Sequence, residues 1–582
     1  MKTERRFQGV AVSPGIVQGT AYVYRPDEEL PPRRAIAESD VDSETRRLHD
    51  ALAATRRQIV ELSDKVRQSL GAGDAEIFEA HLMVVEDGVL IEEVQKTIRR
   101  DLCNAEHAFH VVAQRYAKSL AALEDPYFRE RASDIHDIAR RVTRNLLGKS
   151  SKGLGDLTTA HIVLSHNLSP SDTAQIDREF VLGFCTEVGG KTSHTAIMAR
   201  SLNIPAVVGV HDVMSAIENG TDVLIDGYSG LLIVDPSDAT LWQYGALQKS
   251  KAAVEEQLTE LRETQSTTRD GTNIILSANI EQPDDIDQAK TSGAQGVGLF
   301  RTEFLYLGRE DLPGEEEQTA AYLRVANAVK PDSVIIRTLD LGGDKLHATL
   351  HAVAEENPFL GWRAIRVCLE RTDIFKTQLR AILRASSGGG IKLMFPMISG
   401  MAELRHANAI LDECRAELRS EGKPFDEKME VGMMIEVPSA AIIADLFAKE
   451  VDFFSLGTND LVQYTIAADR GNEHIAHLYE PTHPAVLRLI KNTVEAAHAA
   501  GIWVGVCGEM GGDITLTPLL IGLGVDELSC GSAVLPRVKR AVRSLDAAAC
   551  RQLAAEALAC DSGITILARS EAIARAHYGE LF

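Results

Sequence analysis

The run Gly189-Gly190-Lys191-Thr192-Ser193-His194-Thr195-Ala196-Ile197-Met198 sets an imidazole directly after residues that start helices. Glycine permits a tight turn, Thr and Ser cap helix starts, and the residues that follow favour helix. The free N–H groups and the dipole of a helix start favour a neutral ring and stabilise an anion attached to it. A neutral imidazole is a nucleophile near pH 7 and can carry a phosphoryl group. Alone, His194 serves equally well as part of a cap.

A second set of reactive residues follows much later in the chain. Arg301, Arg337 and Arg470 are spaced among apolar runs, as are Glu436, the pair Asn459-Asp460, and Cys507. Asp340, Asp344 and Lys345 follow Arg337 closely. Arginine's planar fork grips phosphate and carboxylate oxygens in pairs, so these arginines point to a small, highly anionic substrate. A Glu and an Asp without His or Cys ligands suit Mg²⁺, held in part by the substrate's own oxygens. A thiol with a pKa of ~8.5 stays mostly protonated at neutral pH and can act as a general acid. Singly, each arginine reads as a surface ion pair and Cys507 as a small buried hydrophobe.

These side chains need a frame, and the periodicity supplies one. After residue 266, eight apolar runs alternate with helical segments: NIILSANI, GVGLF, SVIIRTLD, IKLMFPMI, VGMMIEV, DFFSLGTND, IWVGVCGEM and DELSCG. That alternation predicts a (β/α)₈ barrel over 267–582, whose chemistry belongs at the C-terminal ends of its strands. The candidate residues fall at those ends. Upstream, strand-like patterns at 1–25 and 149–236 predict one α/β domain around His194. Between them, 26–148 reads as an inserted helical bundle, with a long helix from Val41 and further helices over 74–101, 104–122 and 130–147. Residues 237–266 are polar and helix-prone, which suits a linker helix.

Net charge is −23, from 61 Lys+Arg against 84 Asp+Glu, which makes nucleic acid and anionic membranes poor partners and a basic protein a good one. No stretch has the length of a signal or transmembrane segment, and the eight cysteines form no CxxC pair. A cytoplasmic protein with reduced thiols and no membrane insertion is the expectation. Between Gln68 and Val94 lie Asp74, Glu76, Glu79, Glu86, Asp87, Glu92 and Glu93 without a single Lys or Arg. Such a run is ordinarily a solvated helix face.

The segments GGKTSHTAIMARSLNIPAVVG, GVGLFRTEFLY, IRTLDLGGDK, NPFLGWRAIR, MIEVPSA, DFFSLGTNDLVQYTIAADRGN and VCGEMGGD, in this order, resemble enzyme I of the bacterial phosphoenolpyruvate-dependent sugar phosphotransferase system. The resemblance covers essentially the whole chain. It implies a Mg²⁺-dependent enzyme that autophosphorylates His194 from phosphoenolpyruvate, releases pyruvate, and passes the phosphoryl group to the phosphocarrier protein HPr. It assigns substrate binding to Arg301, Arg337, Asn459, Asp460 and Arg470, metal ligation to Glu436 and Asp460, and proton donation to Cys507. Thr173 would hydrogen-bond the active histidine, with Lys345 in support. The resemblance further implies that HPr docks on the helical insert and that the barrel forms a homodimer. Lys191 stands where the family commonly has arginine. The alternative is a dikinase that charges the same histidine from ATP. It is disfavoured, because the sequence holds no P-loop and no separate nucleotide-binding domain.

Overall fold

The computed structural model describes residues 4–582 apart from 26–30, 70–71, 122–125, 149–153, 191–192, 308, 310, 343–354, 356, 471 and 473. The side chains of 67–77, 121–133, 194 and 251 are likewise outside the description. The chain divides into two compact units, Met1–Ser250 and Lys251–Phe582.

The first unit is built on an eight-stranded mixed sheet. Its strands are β1 (Arg5–Gln8), β2 (Val10–Ser13), β3 (Ile16–Tyr24), β4 (His161–Ser165), β5 (Val181–Thr186), β6 (Ala206–Val208), β7 (Asp222–Asp226) and β8 (Leu231–Val234). They lie in the order β1-β8-β7-β3-β4-β5-β6-β2. The middle, β3 to β6, is parallel, and antiparallel strands close both flanks. The chain leaves this sheet after β3 and returns at β4. The excursion forms a bundle of α1 (Val41–Ser69), α2 (Ala72–Val85), α3 (Gly88–Asp101), α4 (Ala105–Ala121) and α5 (Pro126–Leu147).

Periodicity builds the bundle core. Leu48, Leu52, Ile59 and Val66 of α1 are buried against Phe109 and Val112 of α4 and Val142 of α5. One expected element splits. The helical pattern over 74–101 breaks at Asp87, whose carboxylate accepts from the Val89 and Leu90 N–H groups at 2.7 and 3.1 Å. A carboxylate on those amides caps a new helix more favourably than the old one continues through them. Beyond β4 come α6 (Pro170–Thr173), α7 (His194–Ser201), α8 (Val213–Ala216) and α9 (Asp238–Glu260).

The second unit is a closed barrel of β9 (Ile275–Ile280), β10 (Val297–Phe300), β11 (Val334–Arg337), β12 (Ile391–Phe395), β13 (Val431–Ile435), β14 (Phe453–Leu456), β15 (Trp503–Val506) and β16 (Glu527–Gly531). All eight ladders are parallel, and β16 pairs with β9 to close the ring. Each strand falls within one of the apolar runs read from the sequence. The barrel interior is plugged by Leu299, Ile335, Met394, Met434 and Phe453, with the Trp503 ring stacked on Phe453 at 4.7 Å. Lys539, almost fully buried, ties the chain entering the barrel to the wall by donating to the carbonyls of Arg262 and Gly293 at 2.6 and 2.9 Å.

Candidate active site

At the mouth of the barrel, the strand ends converge. Arg337 closes β11 and is held by two carboxylates, Glu303 at 2.8 Å and Asp340 at 2.7 Å. Burial opposes its charge, but Asp340, Glu303 and Glu436 outweigh that cost and keep the guanidinium firmly ionised. Among the described residues its Nε atom has no hydrogen-bond partner, nor has Glu303 Oε2, so the cluster retains capacity for a polar ligand. Glu436 follows β13 and is also buried. The Met397 N–H donates to its Oε1 at 2.6 Å, and Met397 adopts a φ of 56°, a strained backbone for a non-glycine residue. Burial, then Asp340 and Asp460, push the Glu436 carboxyl up to about 8.

Asp460 lies in the first turn of the helix Thr458–Ile466 that follows β14. Its carboxyl is raised by burial, partly offset by Arg363. Cys507, directly after β15, packs against the apolar plug with its Sγ 3.7 Å from the Leu456 carbonyl. Burial pushes its thiol up to about 11, against the pull of the Ser455 hydroxyl and Arg337. A thiol in this setting is an acid and not a thiolate nucleophile.

The other predicted groups line the rim. Arg301, just past β10, is paired with Glu281, and Arg470 meets Glu509 at 3.4 Å. Asn459 ties two strand ends together: its Nδ2 donates to Glu509 Oε1 at 3.2 Å, and its Oδ1 accepts from the Glu509 N–H at 2.8 Å. Arg337, Glu436, Asp460 and Cys507 thus form the floor, with Arg301, Arg470 and Asn459 at the more exposed edge. Asp344 and Lys345 lie outside the described residues.

Two contributors to this site escaped the sequence reading. Arg363 bridges Asp340 at 2.8 Å and Asp460 at 3.3 Å, and donates to the Tyr464 hydroxyl at 3.2 Å. It sits in no strand, and a short bridge between Gly342 and Arg363 carries it to the floor. Its signal was present in NPFLGWRAIR but tied to no strand end. Gln378 is buried on the helix Thr372–Ala385, takes the Leu339 N–H on its Oε1 at 2.9 Å, and donates to the Thr302 hydroxyl at 3.0 Å. It fixes the turn that carries Asp340. Nothing in the sequence separates it from any other glutamine on a helix.

Among the described residues, no group of three or more His, Cys, Asp or Glu is arranged to hold a metal ion by itself. Glu436 and Asp460 nevertheless offer only oxygen ligands, and both carboxyls are raised by burial and by Asp340, Glu436 also by Asp460, a crowding of negative charge that a divalent cation would relieve. The donor set therefore fits Mg²⁺ completed by substrate oxygens.

In the first unit, His194 is the first residue of α7 and Ser193 is its cap, with Ser193 Oγ accepting from the Ala196 N–H at 3.3 Å. The imidazole itself, Lys191 and Thr192 lie outside the described residues. Thr173 ends α6, and its hydroxyl lies within donating distance of the Pro170 and Ser169 carbonyls, at 3.0 and 3.1 Å. Thr195 secures the start of α7 by donating to the Leu168 carbonyl at 2.9 Å.

Comparison with known proteins assigns the chain in two steps. Three family models match: the PEP-utilising enzyme N-terminal domain over 8–131, its mobile domain over 157–230 and its PEP-binding domain over 255–547. The chain therefore belongs to the PEP-utilising enzymes. A protein named phosphoenolpyruvate-protein phosphotransferase from Priestia megaterium is 46% identical, over 94% of this chain and 95% of its own length. Proteins of the same name from Staphylococcus carnosus (strain TM300) and Haemophilus influenzae are 42% and 43% identical, over 96% and 94% of this chain and 97% and 96% of theirs. Within the class, the chain is a member of the phosphoenolpyruvate-protein phosphotransferase family.

Proposed function

We propose that this chain transfers the phosphoryl group of phosphoenolpyruvate to His194, releases pyruvate, and then passes the group to HPr as the first step of the sugar phosphotransferase system. The observation that carries the reading is the barrel floor, where Arg337, Arg363, Glu436, Asp460 and a protonated Cys507 thiol meet around one mouth. A substrate carrying a phosphate, a carboxylate and an enol carbon needs cations for the first two and an acid for the third.

Glu436 and Asp460 would hold Mg²⁺, which when bound neutralises phosphate charge. Arg337 and Arg301 orient the phosphate, and Arg470 and Asn459 receive the carboxylate end. The P–O bond to the enol breaks as a P–N bond forms at Nε2 of His194, and the electron pair stays on the enol oxygen. Cys507 gives its proton to the methylene carbon, the enol oxygen becomes the carbonyl of pyruvate, and the thiolate regains a proton from water. Thr173 and Lys345 support the histidine and the phosphate in this scheme.

The inserted bundle, 26–148, is the docking domain for HPr. Glu79, Glu86 (paired with Arg56 at 2.6 Å), Met83 and Val89 are exposed on this bundle, a mixture of acidic and apolar groups suited to a small basic partner. The α/β segments 1–25 and 149–236 carry the histidine, 237–266 connects, and 267–582 binds phosphoenolpyruvate and forms the homodimer. A cytoplasmic site of action follows from such a partner, and no helix among the described residues is long and apolar enough to cross a membrane.

Incubation with Mg²⁺ and phosphoenolpyruvate labelled on phosphorus tests the reading. Acid-labile label on the wild type that is lost in His194→Ala is expected, as is no label from ATP. Label that survives in His194→Ala, or that comes from ATP, overturns it. Sedimentation of the intact chain tests the homodimer.

A further inference from the structure

The barrel lumen contains a polar pair that its apolar plug does not require. Asn279 lies on β9 with its side chain toward β15, and Ser529 lies on β16 between them. Asn279 Nδ2 donates to the Cys507 carbonyl at 3.0 Å, and Ser529 Oγ donates to Asn279 Oδ1 at 2.6 Å. The orientation of the amide is determined, because a backbone carbonyl can only accept. Asparagine is poorly suited to strands, and a buried hydroxyl costs stability unless bonded. Ser529 is fully buried, and space for it exists only because residue 298 is glycine: a Cβ there would lie 2.5 Å from Ser529 Oγ.

Cys507 is fixed from its other side as well. Its N–H donates to the Leu456 carbonyl of β14 at 3.1 Å. Gly508 follows, and any Cβ on it would collide with the Thr458 hydroxyl, so the chain after the cysteine lies close against the Asp460 helix. The Cys507 peptide is thereby held between β14 and β9, with only the side chain left to adjust.

We infer that Asn279, oriented by Ser529, is a positioning residue that fixes the Cys507 peptide so that the thiol delivers its proton to one face of the enol carbon. The inference rests on the reading of Cys507 as the acid. A general acid acts only within hydrogen-bond reach of its target, and small displacements cost rate steeply.

The test compares Asn279→Ala, Ser529→Ala and Cys507→Ala with the wild type in the intact, Mg²⁺-loaded protein. Asn279→Ala should form pyruvate about 10- to 100-fold more slowly. Its KM for phosphoenolpyruvate should stay within about two-fold, because the substrate contacts remain. The second readout is stereochemical: a phosphoenolpyruvate analogue with a methyl group on the enol carbon, turned over in D₂O, yields one deuterated enantiomer when the acid is fixed. Asn279→Ala should yield a mixture, which mere loss of folded protein would not produce. Ser529→Ala should shift both readouts in the same direction by less, and it decides the matter where Asn279→Ala fails to fold. Full rate and a single enantiomer in the asparagine and serine variants, with both lost in Cys507→Ala, overturns the positioning role alone. Full rate and a single enantiomer in Cys507→Ala overturns the acid assignment, and the inference with it.

Discussion

The two regions that carry reactive residues are built on opposite plans. Around His194, positioning is done by backbone and short side chains: the Ser193 cap, the Thr195 bond to Leu168, and the tight α6 turn that ends in Thr173. At the barrel mouth, it is done by long charged side chains locked together, with Asp340 receiving both Arg337 and Arg363. On the proposed function, the first plan gives a residue that accepts and then releases a group a firm base. A pocket that must seize a multiply charged molecule needs charges already oriented, because reorienting them on binding would consume the binding energy. The barrel also packs its charges over an apolar plug, where desolvation strengthens each interaction and makes any unpaired member costly.

This contrast can be broken experimentally, most strongly at Arg337. Arg337→Met should lower pyruvate formation about 1,000-fold, since it removes the buried cation that the proposed function sets against the phosphate. Transfer of phosphate from pre-charged HPr back to His194 should be nearly unchanged, and equal losses in rapid-quench assays of the two half-reactions would show that the regions are not separable in this way. Next in size is a pH effect. With burial pushing the Cys507 thiol up to about 11, its acid form persists through neutral and mildly alkaline pH and is lost as pH rises through that value. The profile of kcat/KM should show no limb from this thiol below pH ~10, whereas an unperturbed thiol would give one near ~8.5.

Smaller effects separate the frames that bear the two plans. Lys539→Met leaves the Arg262 and Gly293 carbonyls without their donor and should destabilise the barrel unit by about 2 kcal/mol. Urea unfolding followed at the barrel's Trp503 would report it. Ser193→Ala removes the cap of α7 and should cost about 1 kcal/mol locally. Hydrogen exchange at Ala196 should quicken, while labelling of His194 from phosphoenolpyruvate falls no more than a few-fold. A collapse of labelling would mean that the cap, and not the imidazole alone, takes part in the chemistry.

The barrel was legible because its strands are buried on both faces and read as short apolar runs such as VGMMIEV and DFFSLGTND. Once the strands were known, their C-terminal ends pointed to Arg301, Arg337, Glu436, Asp460 and Cys507. Arg363 was not legible as a floor residue, since the Gly342–Arg363 bridge brings it there, and spacing along the chain carries no trace of that pairing. Asn279 was hidden for the opposite reason: it lies inside a correctly placed strand, in NIILSANI, where one polar residue resembles any other. The break at Asp87 shows a capping side chain overriding a helical pattern that on its own runs on to residue 101.

The route of the chain through the first sheet has a consequence for how the protein is made. β3 and β4 are adjacent and parallel, with Ala21 opposite Ile162 and Tyr24 opposite Ser165. Parallel neighbours require a crossover, a job usually done by one helix. Here the entire bundle serves as that crossover. On the ribosome, β1 to β3 must therefore wait for the five helices to be synthesised before β4 emerges to pair with them. At about 5–20 residues per second, that delay is on the order of ten seconds. The bundle, whose contacts are largely local, has time to fold first and to bring the ends of the sheet together.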